Sequence, residues 1–359
     1  MKMKTKTITL HDTDNFGSSL QAYALQRYLL DNNIENEIID YTPKYLYTHN
    51  RPVYIFFRNI LFFKDVYSKK KKFKEFKDKY LKVTNTQYYS IKDLMEDRVD
   101  ADVVICGSDQ LWNSNYACGK DPAYYLNFFE GNNIRKVSYA ASLGKSEVSD
   151  EELDWITDNI RDFSAISVRE QSSVSLLEKK LDDTVSVVCD PVLLLEKSVY
   201  QDMASKKIVE EPYALIYLIE PGELLDKTIT YLKEEKKLKI VVVGSYKNKC
   251  YSDISPKDLG PSEFLSLLLY ADFVLASSFH AMAFSLLFEK NFAAILPSKN
   301  QERINHLLGL MKLENRILNS SKDISLIFEK PEYELISNKF KEYVEYSKEW
   351  ILSTLNLMK

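Results

Sequence analysis

The run Asp-Val-Val-Ile-Cys at Asp102–Cys106 leads directly into Gly-Ser-Asp-Gln at Gly107–Gln110. Four consecutive apolar residues bounded by glycine predict a short buried strand, because a strand covered on both faces needs no polar–apolar alternation. The polar residues that follow predict a turn at the end of that strand. The same succession of apolar strand, polar turn and helix recurs along most of the chain.

Strands and helices alternate in a first series that ends near residue 189. Strands are predicted at Thr5–Leu10, Glu35–Tyr41, Asp102–Cys106, Lys136–Ala141, Ala165–Val168 and Val185–Cys189, and helices at Ser18–Leu30, Ser149–Phe163 and Glu170–Lys180. The helix after Ser149 opens with a capping-box pattern, Ser149-x-x-Glu152. This alternation favours a doubly wound, mostly parallel sheet with helices on both faces.

A second series begins after a charged and polar break at residues 197–211. Its strands are predicted at Tyr213–Ile219, Ile240–Gly244, Phe273–Ala276 and Phe292–Leu296, with helices from Pro261 and Phe279 and a last helix at Glu332–Leu357. The prediction is an α/β protein of two Rossmann-like doubly wound domains, residues 1–205 and 206–359, with a C-terminal helix. Because ligands bind beyond the carboxyl ends of such strands, we expect the site in the cleft between the halves.

The composition excludes several classes of protein. A formal net charge of -4 argues against a general nucleic-acid binder. The four cysteines form no Cys-x-x-Cys pair and the four histidines show no zinc spacing, so we expect reduced thiols and no metal site. No apolar segment follows the basic N-terminus, and Val53–Phe63 is too short to span a bilayer, so we expect a cytoplasmic protein.

An excursion at residues 43–89 interrupts the first series. Nine lysines lie between Lys64 and Lys82, after an aromatic stretch around Phe56, Phe57, Phe62 and Phe63. One interpretation is a basic helix that contacts an anionic membrane surface. The other is a solvated helix whose apolar side chains, Phe73, Phe76, Tyr80 and Leu81, pack on the domain.

Several common catalytic motifs are missing from the sequence. No Gly-x-Gly-x-x-Gly follows a strand, and Gly144-Lys145-Ser146 lacks the earlier glycine of a P-loop because Tyr139 takes that position. Neither Gly-x-Ser-x-Gly nor His-Glu-x-x-His occurs. Hydride transfer, P-loop hydrolysis and zinc proteolysis are therefore disfavoured.

Polar clusters instead occupy the strand-to-helix junctions. They are Asn15–Ser18, Gly107–Asn113, Ser138–Gly144, Ser167–Glu170 and Ser277–Ala281. In a doubly wound sheet these junctions meet at one edge, where helix N-termini can hold an anion.

Individual residues of these clusters admit two interpretations each. His280 in a first helical turn is either an anion ligand or a hydrogen-bonded core histidine. Arg169 opposes the helix dipole, which indicates either a clamp on carboxylate or phosphate, or a salt bridge to Glu170 or Asp190. Asp109 is either a general base or a cap on the next turn. Asp190-Pro191 predicts a tight turn, and so does Gly17 between the first strand and helix.

In this order the clusters resemble the polysaccharide pyruvyl transferase family. The matching stretches are Asn15-Phe16-Gly17-Ser18-Ser19-Leu20-Gln21-Ala22-Tyr23-Ala24-Leu25-Gln26, Gly107-Ser108-Asp109-Gln110-Leu111-Trp112-Asn113, Ser138-Tyr139-Ala140-Ala141-Ser142-Leu143-Gly144, Ser167-Val168-Arg169-Glu170, Asp190-Pro191 and Ser277-Ser278-Phe279-His280-Ala281. The run Gly-Ser-Asp-Gln-x-Trp-Asn is the most specific. Ala281 departs from the family, in which many members have glycine.

The resemblance implies a fold like that of the GT-B glycosyltransferases, with phosphoenolpyruvate as donor and a sugar diol as acceptor. It implies donor-site roles for Arg169 and His280. Since ketal formation needs a general acid and a general base, our hypothesis is His280 as acid or phosphate ligand and Asp109 as base. The expected donor-binding set is Arg169, His280, Ser277, Ser278, Asn15, Gly17, Ser18 and Arg303, and the expected acceptor-binding set is Gln110, Trp112, Asn113 and Tyr139. No step requires a metal or a further cofactor.

Two other functions fit the same pattern. A glycosyltransferase of this fold would use a nucleotide sugar and bind a uridine or guanosine diphosphate. A non-catalytic component of a polysaccharide pathway would turn over no donor. For the pyruvyl transferase, a lipid-linked oligosaccharide acceptor would give the lysine-rich helix a purpose at the membrane.

Overall fold

The structure, a computed structural model, describes residues 3–46, 63–97, 99–129, 134–244, 252–298 and 301–356. It divides into two compact units: unit 1 comprises Met1–Phe63, Phe73–Leu195 and Glu342–Lys359, and unit 2 comprises Lys64–Lys72 and Glu196–Lys341. In place of the predicted single boundary at residue 205, the chain crosses between the units at 63/64, 72/73, 195/196 and 341/342. The extra crossings arise because Lys64–Lys72 belongs to unit 2 and the last helix returns to unit 1.

A seven-stranded parallel sheet forms the centre of unit 1. Its strands are β1 (Lys4–Ile8), β2 (Glu35–Tyr41), β3 (Val83–Tyr88), β4 (Val103–Cys106), β5 (Arg135–Ala141), β6 (Ala165–Val168) and β7 (Val185–Val187), in the order β3-β2-β1-β4-β5-β6-β7. Because every pair is parallel, all carboxyl ends lie at one edge. The order reverses between β1 and β4, which makes this the switch point where ligands of doubly wound folds bind.

The helices of unit 1 are α1 (Phe16–Asp31), half of α2 (Phe63–Tyr80), α3 (Ile91–Asp97), α4 (Asp150–Ile160) and α5 (Gln171–Leu177). At α4 the predicted N-cap is confirmed, since the Ser149 side chain accepts from the Glu152 backbone N–H (3.2 Å). The reciprocal half of the capping box is replaced by an ion pair, because the Glu152 carboxylate contacts Lys145 Nζ (2.9 Å).

Unit 2 contains a four-stranded parallel sheet, β8 (Tyr213–Tyr217), β9 (Lys239–Val243), β10 (Phe273–Ala276) and β11 (Phe292–Ala294), in the order β11-β10-β8-β9. Its helices are α6 (Lys197–Met203), α7 (Glu223–Glu234), α8 (Pro261–Tyr270), α9 (Phe279–Leu287) and α10 (Glu302–Leu310), and α11 (Tyr333–Asn356) begins here. The switch point lies between β8 and β10. The predicted α/β class, with two Rossmann-like sheets and a C-terminal helix, is confirmed.

The lysine-rich segment forms α2 as predicted. Phe73 and Phe76 are buried, and the Phe73 ring stacks on Phe16 (centroids 5.4 Å apart). The aromatic residues Phe56, Phe57 and Phe62 lie outside the described residues, as do His49 and Cys250. Within the described ranges, no helix is both long and apolar enough to cross a membrane.

Helix α1 is almost entirely buried although its inner face carries amide side chains. Gln26 forms two bonds with one backbone unit: Nε2 donates to Lys82 O (2.8 Å) and Oε1 accepts from Lys82 N (2.7 Å). Gln21 Nε2 donates to Thr9 Oγ1 (2.9 Å). A buried polar group that has a hydrogen-bond partner lowers the stability of the fold only slightly. Helix α1 can therefore pack on the sheet without a regular apolar stripe.

We expect Gln26→Met to lower the thermal unfolding midpoint although it preserves side-chain volume. The substitution leaves the Lys82 N–H without its acceptor, and a buried unpaired group costs about 1–3 kcal/mol. For a unit of this size that is a loss of about 2–10 °C. Calorimetry measures it, with the exposed Gln201→Met as control; equal midpoints for both variants would contradict a stabilising role.

Candidate functional site

Asp109 lies just beyond β4, at the carboxyl edge of the unit 1 sheet. Its φ of 88° is rare for a residue other than glycine. Such strain costs about 1–3 kcal/mol and is concentrated at functional sites. Asp109 Oδ2 accepts from Ser18 Oγ (2.6 Å) and Oδ1 from Gln110 N (2.9 Å). Because Ser18 belongs to α1, which follows β1, its bond to Asp109 spans the switch point between β1 and β4.

Arg169 follows β6 and is 1% exposed. Its Nη1 donates to Asp190 Oδ2 (2.6 Å), and its Nη2 to Asp109 Oδ1 (3.4 Å). Asp190 also accepts from Ser108 Oγ (3.1 Å) and from Val192 N (3.0 Å). The salt bridge to Asp190, one of the two interpretations of Arg169, is therefore present, and two carboxylates share one guanidinium.

Glu170 adds a third buried carboxyl group beside this pair. Its Oε1 accepts from Ser142 Oγ (3.0 Å) and Gly144 N (3.1 Å), which ties the loop after β5 to the start of α5. Together Asp109, Glu170, Asp190 and Arg169 form what we call the acidic cluster. With three carboxyl groups and one guanidinium, it is poorly suited to hold an anion.

The predicted acceptor-binding residues are mostly core residues. Trp112 and Tyr139 are both 0% exposed: the Trp112 ring stacks on Tyr125 (5.9 Å) and its Nε1 donates to Tyr124 O (3.2 Å). Asn113 is buried as well. Because these side chains are buried, the predicted acceptor-binding role of Trp112, Tyr139 and Asn113 does not fit this structure. Gln110 stays partly exposed next to Asp109.

The cluster after β1 has a structural role at the start of α1. Asn15 is the N-cap, and its side chain accepts from Ser18 N (3.2 Å). Gly17 lies inside α1, where any residue adopts the required backbone angles, so the predicted tight turn at Gly17 is wrong. Asp190, by contrast, caps a short 3-10 helix at Pro191–Leu193, which agrees with the tight turn predicted at Asp190-Pro191.

A buried network that the sequence analysis missed lies next to this loop. His11 Nε2 contacts Asp40 Oδ1 (2.9 Å), and Lys77 Nζ lies 2.8 Å from the same oxygen and 2.7 Å from Asp12 Oδ2. Burial alone would raise the pKa of Asp40, but the hydrogen bonds from His11 and Lys77 outweigh it and lower that pKa below its ordinary value. These residues hold the start of the β1–α1 loop, which leads to Asn15.

In unit 2, His280 lies in the first turn of α9, at the carboxyl edge next to the β8–β10 switch point, and is 7% exposed. Ser277 joins the two strands there: its N donates to Tyr217 O (3.2 Å) and its Oγ to Leu218 O. Ser278 takes the N-cap position, but its side chain does not cap the helix. The helix N-terminus therefore keeps N–H groups that a side-chain cap would otherwise bind.

Two basic residues lie on α10, and one of them contacts the residue that precedes His280. The Arg303 guanidinium lies 5.8 Å from the centre of the Phe279 ring, which directly precedes His280. His306 is three residues beyond Arg303 and so shares its helix face. We call His280, Arg303 and His306 the basic cluster. His306 was missed because a lone histidine in a helix carries no signal in sequence.

Two other features bear on ligand binding. No group of three or more His, Cys, Asp or Glu residues in the described part of the chain could hold a metal ion. A cavity of about 400 Å³ lies at the amino ends of β1 and β2, where Lys4, Lys6, Glu35 and Glu37 line it. It is at the opposite sheet edge from Asp109 and does not belong to the candidate site.

The family model for polysaccharide pyruvyl transferase matches residues 15–299. The chain belongs to the polysaccharide pyruvyl transferase family. Comparison with curated protein sequences finds no match.

Several solved structures share the fold of this pyruvyl transferase family member. UDP-GlcNAc 2-epimerase from Methanocaldococcus jannaschii is 14% identical with a TM-score of 0.57, over 99% of this chain and 100% of that one. The Neisseria meningitidis UDP-GlcNAc 2-epimerase bound to UDP-GlcNAc is 13% identical with a TM-score of 0.58, over 99% of both chains. Arabidopsis thaliana UGT89C1, complexed with quercetin, is 10% identical with a TM-score of 0.53, over 98% of this chain and 99% of that one. These similarities confirm the predicted GT-B-like fold.

We expect Asp190→Asn to destabilise unit 1 strongly. The amide keeps the shape of the side chain but removes the charge that faces the buried Arg169 guanidinium. Breaking a buried ion pair from one side costs about 3–5 kcal/mol. Thermal or urea unfolding measures this loss, with the exposed Asp183→Asn as the matched control. A change no larger than that of the control would mean that the ion pair does not hold this edge together.

Proposed function

We propose that the protein transfers the pyruvyl group of phosphoenolpyruvate to two hydroxyl groups of a sugar, forming a pyruvate ketal and releasing phosphate. The observation that carries this proposal is the family match over residues 15–299. The acceptor would be a sugar diol of a polysaccharide or lipid-linked oligosaccharide, as in exopolysaccharide or capsule synthesis in the cytoplasm.

The charges of the two clusters support a division of roles. Phosphoenolpyruvate carries a carboxylate and a phosphate, which favour cationic and N–H donors. The basic cluster of unit 2, with the start of α9, supplies such donors, and we assign the donor to it together with Ser277 and Ser278. Because Arg169 is already shared by Asp109 and Asp190, we assign it to positioning Asp109 rather than to clamping the donor. We accordingly assign Asn15, Gly17 and Ser18, which belong to unit 1, to acceptor binding instead of donor binding.

The proposed reaction begins with proton transfer from His280 to the methylene carbon of phosphoenolpyruvate, which makes the adjacent carbon oxocarbenium-like. A sugar hydroxyl attacks that carbon and gives its proton to Asp109. The carbon–oxygen bond to phosphate then breaks and inorganic phosphate leaves. The second hydroxyl attacks the same carbon and gives its proton to the now neutral His280 imidazole, which closes the ketal, while the proton on Asp109 passes to the departing phosphate. No step of this sequence calls for a metal or another cofactor.

A second candidate is transfer of a sugar from a nucleotide donor. It is favoured by structurally similar proteins that are bound to UDP or UDP-GlcNAc, including a Staphylococcus aureus protein in complex with UDP. The two functions differ in the ligand that unit 2 binds, so ligand binding separates them.

We expect phosphoenolpyruvate at about 100 times its dissociation constant to raise the unfolding midpoint by about 5 °C or more, since binding to the native state stabilises by mass action. His280→Ala should abolish this shift. Asp109→Asn should keep it and lower turnover by about 10²–10⁴, the usual contribution of a general base. Differential scanning fluorimetry and phosphate release measure the two effects.

The exposed Asp226→Asn on α7 serves as the control and should change neither quantity. Stabilisation by UDP or GDP, with none by phosphoenolpyruvate, would overturn the proposal in favour of sugar transfer. Full turnover in Asp109→Asn would remove Asp109 from the chemistry.

We also propose that α2 contacts an anionic membrane. Its inward lysines are engaged inside the protein: Lys72 Nζ lies 3.0 Å from Glu263 Oε1. Its outward side presents Tyr67, 62% exposed, with Lys70, Lys71 and Lys74 at helical spacing. An exposed aromatic ring among lysines suits the interface of an anionic bilayer, where each lysine contributes about 1 kcal/mol.

Replacement of Lys70, Lys71 and Lys74 by glutamine should reduce binding to phosphatidylserine-containing vesicles at least about tenfold, because three attractive charges are lost. Vesicle flotation at low and high salt measures the effect. Replacement of the exposed Lys227, Lys236 and Lys237 changes the net charge equally and should leave binding unchanged. If the vesicles retain both triple variants equally, α2 is not the membrane contact.

A further inference from the structure

Leu218, the residue directly after β8, has an unusual backbone conformation. Its φ is 57°, in the left-handed region where the side chain of an L-residue crowds its own backbone. Glycine, asparagine or aspartate normally takes such a position. A leucine there indicates that its side chain is needed in that place.

Core packing does not account for this leucine. Its side chain is 43% exposed, so burial offsets little of the backbone strain. The strand predicted at Tyr213–Ile219 is shorter in the structure, where β8 ends at Tyr217. Leu218 is therefore part of the carboxyl edge of unit 2 and not of its core.

Neighbouring residues hold Leu218 in place. Its N donates to Val243 O (3.3 Å), and its carbonyl accepts from Ser277 Oγ. Gly244, with φ 92°, makes room for the side chain, because a Cβ at this position would lie 2.7 Å from Leu218 Cδ2. The left-handed backbone conformations of Leu218 and Gly244 thus together accommodate one exposed apolar side chain.

The position of Leu218 connects it to the basic cluster. Ser277, which binds the Leu218 carbonyl, begins the run Ser277–His280 that opens α9. We propose that Leu218 is a ligand-contacting residue of unit 2 that packs against the carbon part of the anionic donor. The assignment rests on the proposed function and deepens it: the donor must combine an anionic group with an exposed apolar carbon, as the methylene of an enol phosphate does.

The test is the concentration of phosphoenolpyruvate that gives half-maximal thermal stabilisation. In Leu218→Gly we expect the ligand-free midpoint to stay or rise, because strain is relieved, and the half-maximal concentration to rise about tenfold, or about 1.4 kcal/mol of binding. Leu218→Met keeps an apolar side chain of similar length and should stay within about twofold of the unsubstituted protein, since such a swap is well tolerated. Lys237→Gly relieves strain at another left-handed position of unit 2 (φ 54°) and should leave the half-maximal concentration unchanged.

The outcomes separate the two proposals. If phosphoenolpyruvate fails to stabilise the unsubstituted protein, the proposed function falls and this assignment with it. If it stabilises the unsubstituted protein and Leu218→Gly equally well, only the assignment of Leu218 falls. A tenfold loss in Leu218→Met as well as in Leu218→Gly would also overturn it, because an apolar contact tolerates methionine.

Discussion

The guanidinium of Arg169, shared by Asp190 and Asp109, is the contact on which the carboxyl edge of unit 1 depends. A buried charge is tolerated only when it is paired, so the residues after β4, β6 and β7 must stay in register with one another. Asp190 is in turn fixed by Ser108 and by the cap it forms. The strained backbone of Asp109 persists because the surrounding structure determines it from several sides. Rigidity of this kind suits the general-base role that we propose for Asp109.

The polar edges of the two units differ in charge. Unit 1 presents the acidic cluster, in which Arg169 is already engaged, and unit 2 presents the basic cluster at the start of α9 and on α10. In unit 2, Ser277 connects the switch point to α9, and it also holds Leu218.

The sheets and most helices could be predicted from the sequence because parallel strands buried on both faces leave short apolar runs, such as Val103–Cys106. Strand β3 was missed because, as an edge strand, it carries polar residues through most of its length. The positions of Asp109 and His280 at the carboxyl edges could be predicted because both residues follow predicted strands. The burial of Trp112 and Tyr139 could not, since proximity to a polar turn does not say on which side of the backbone a ring packs. The sequence offered Glu170 and Asp190 as alternative partners of Arg169, and the structure selects Asp190 because β6 and β7 pair side by side.

The return of α11 to unit 1 has a consequence for how the protein folds during synthesis. Within unit 1, Ser347 Oγ accepts from Cys189 N (2.8 Å), and the Trp350 ring lies 6.2 Å from Tyr139. Residues more than 150 positions apart in sequence must therefore come into contact before this core is complete. Because closing so long a loop costs conformational entropy, we expect these contacts to form late in folding. Most of unit 2, by contrast, is one continuous segment, Glu196–Lys341. A nascent chain can thus assemble unit 2 while unit 1 is still open, which reverses the usual order in which the N-terminal part folds first.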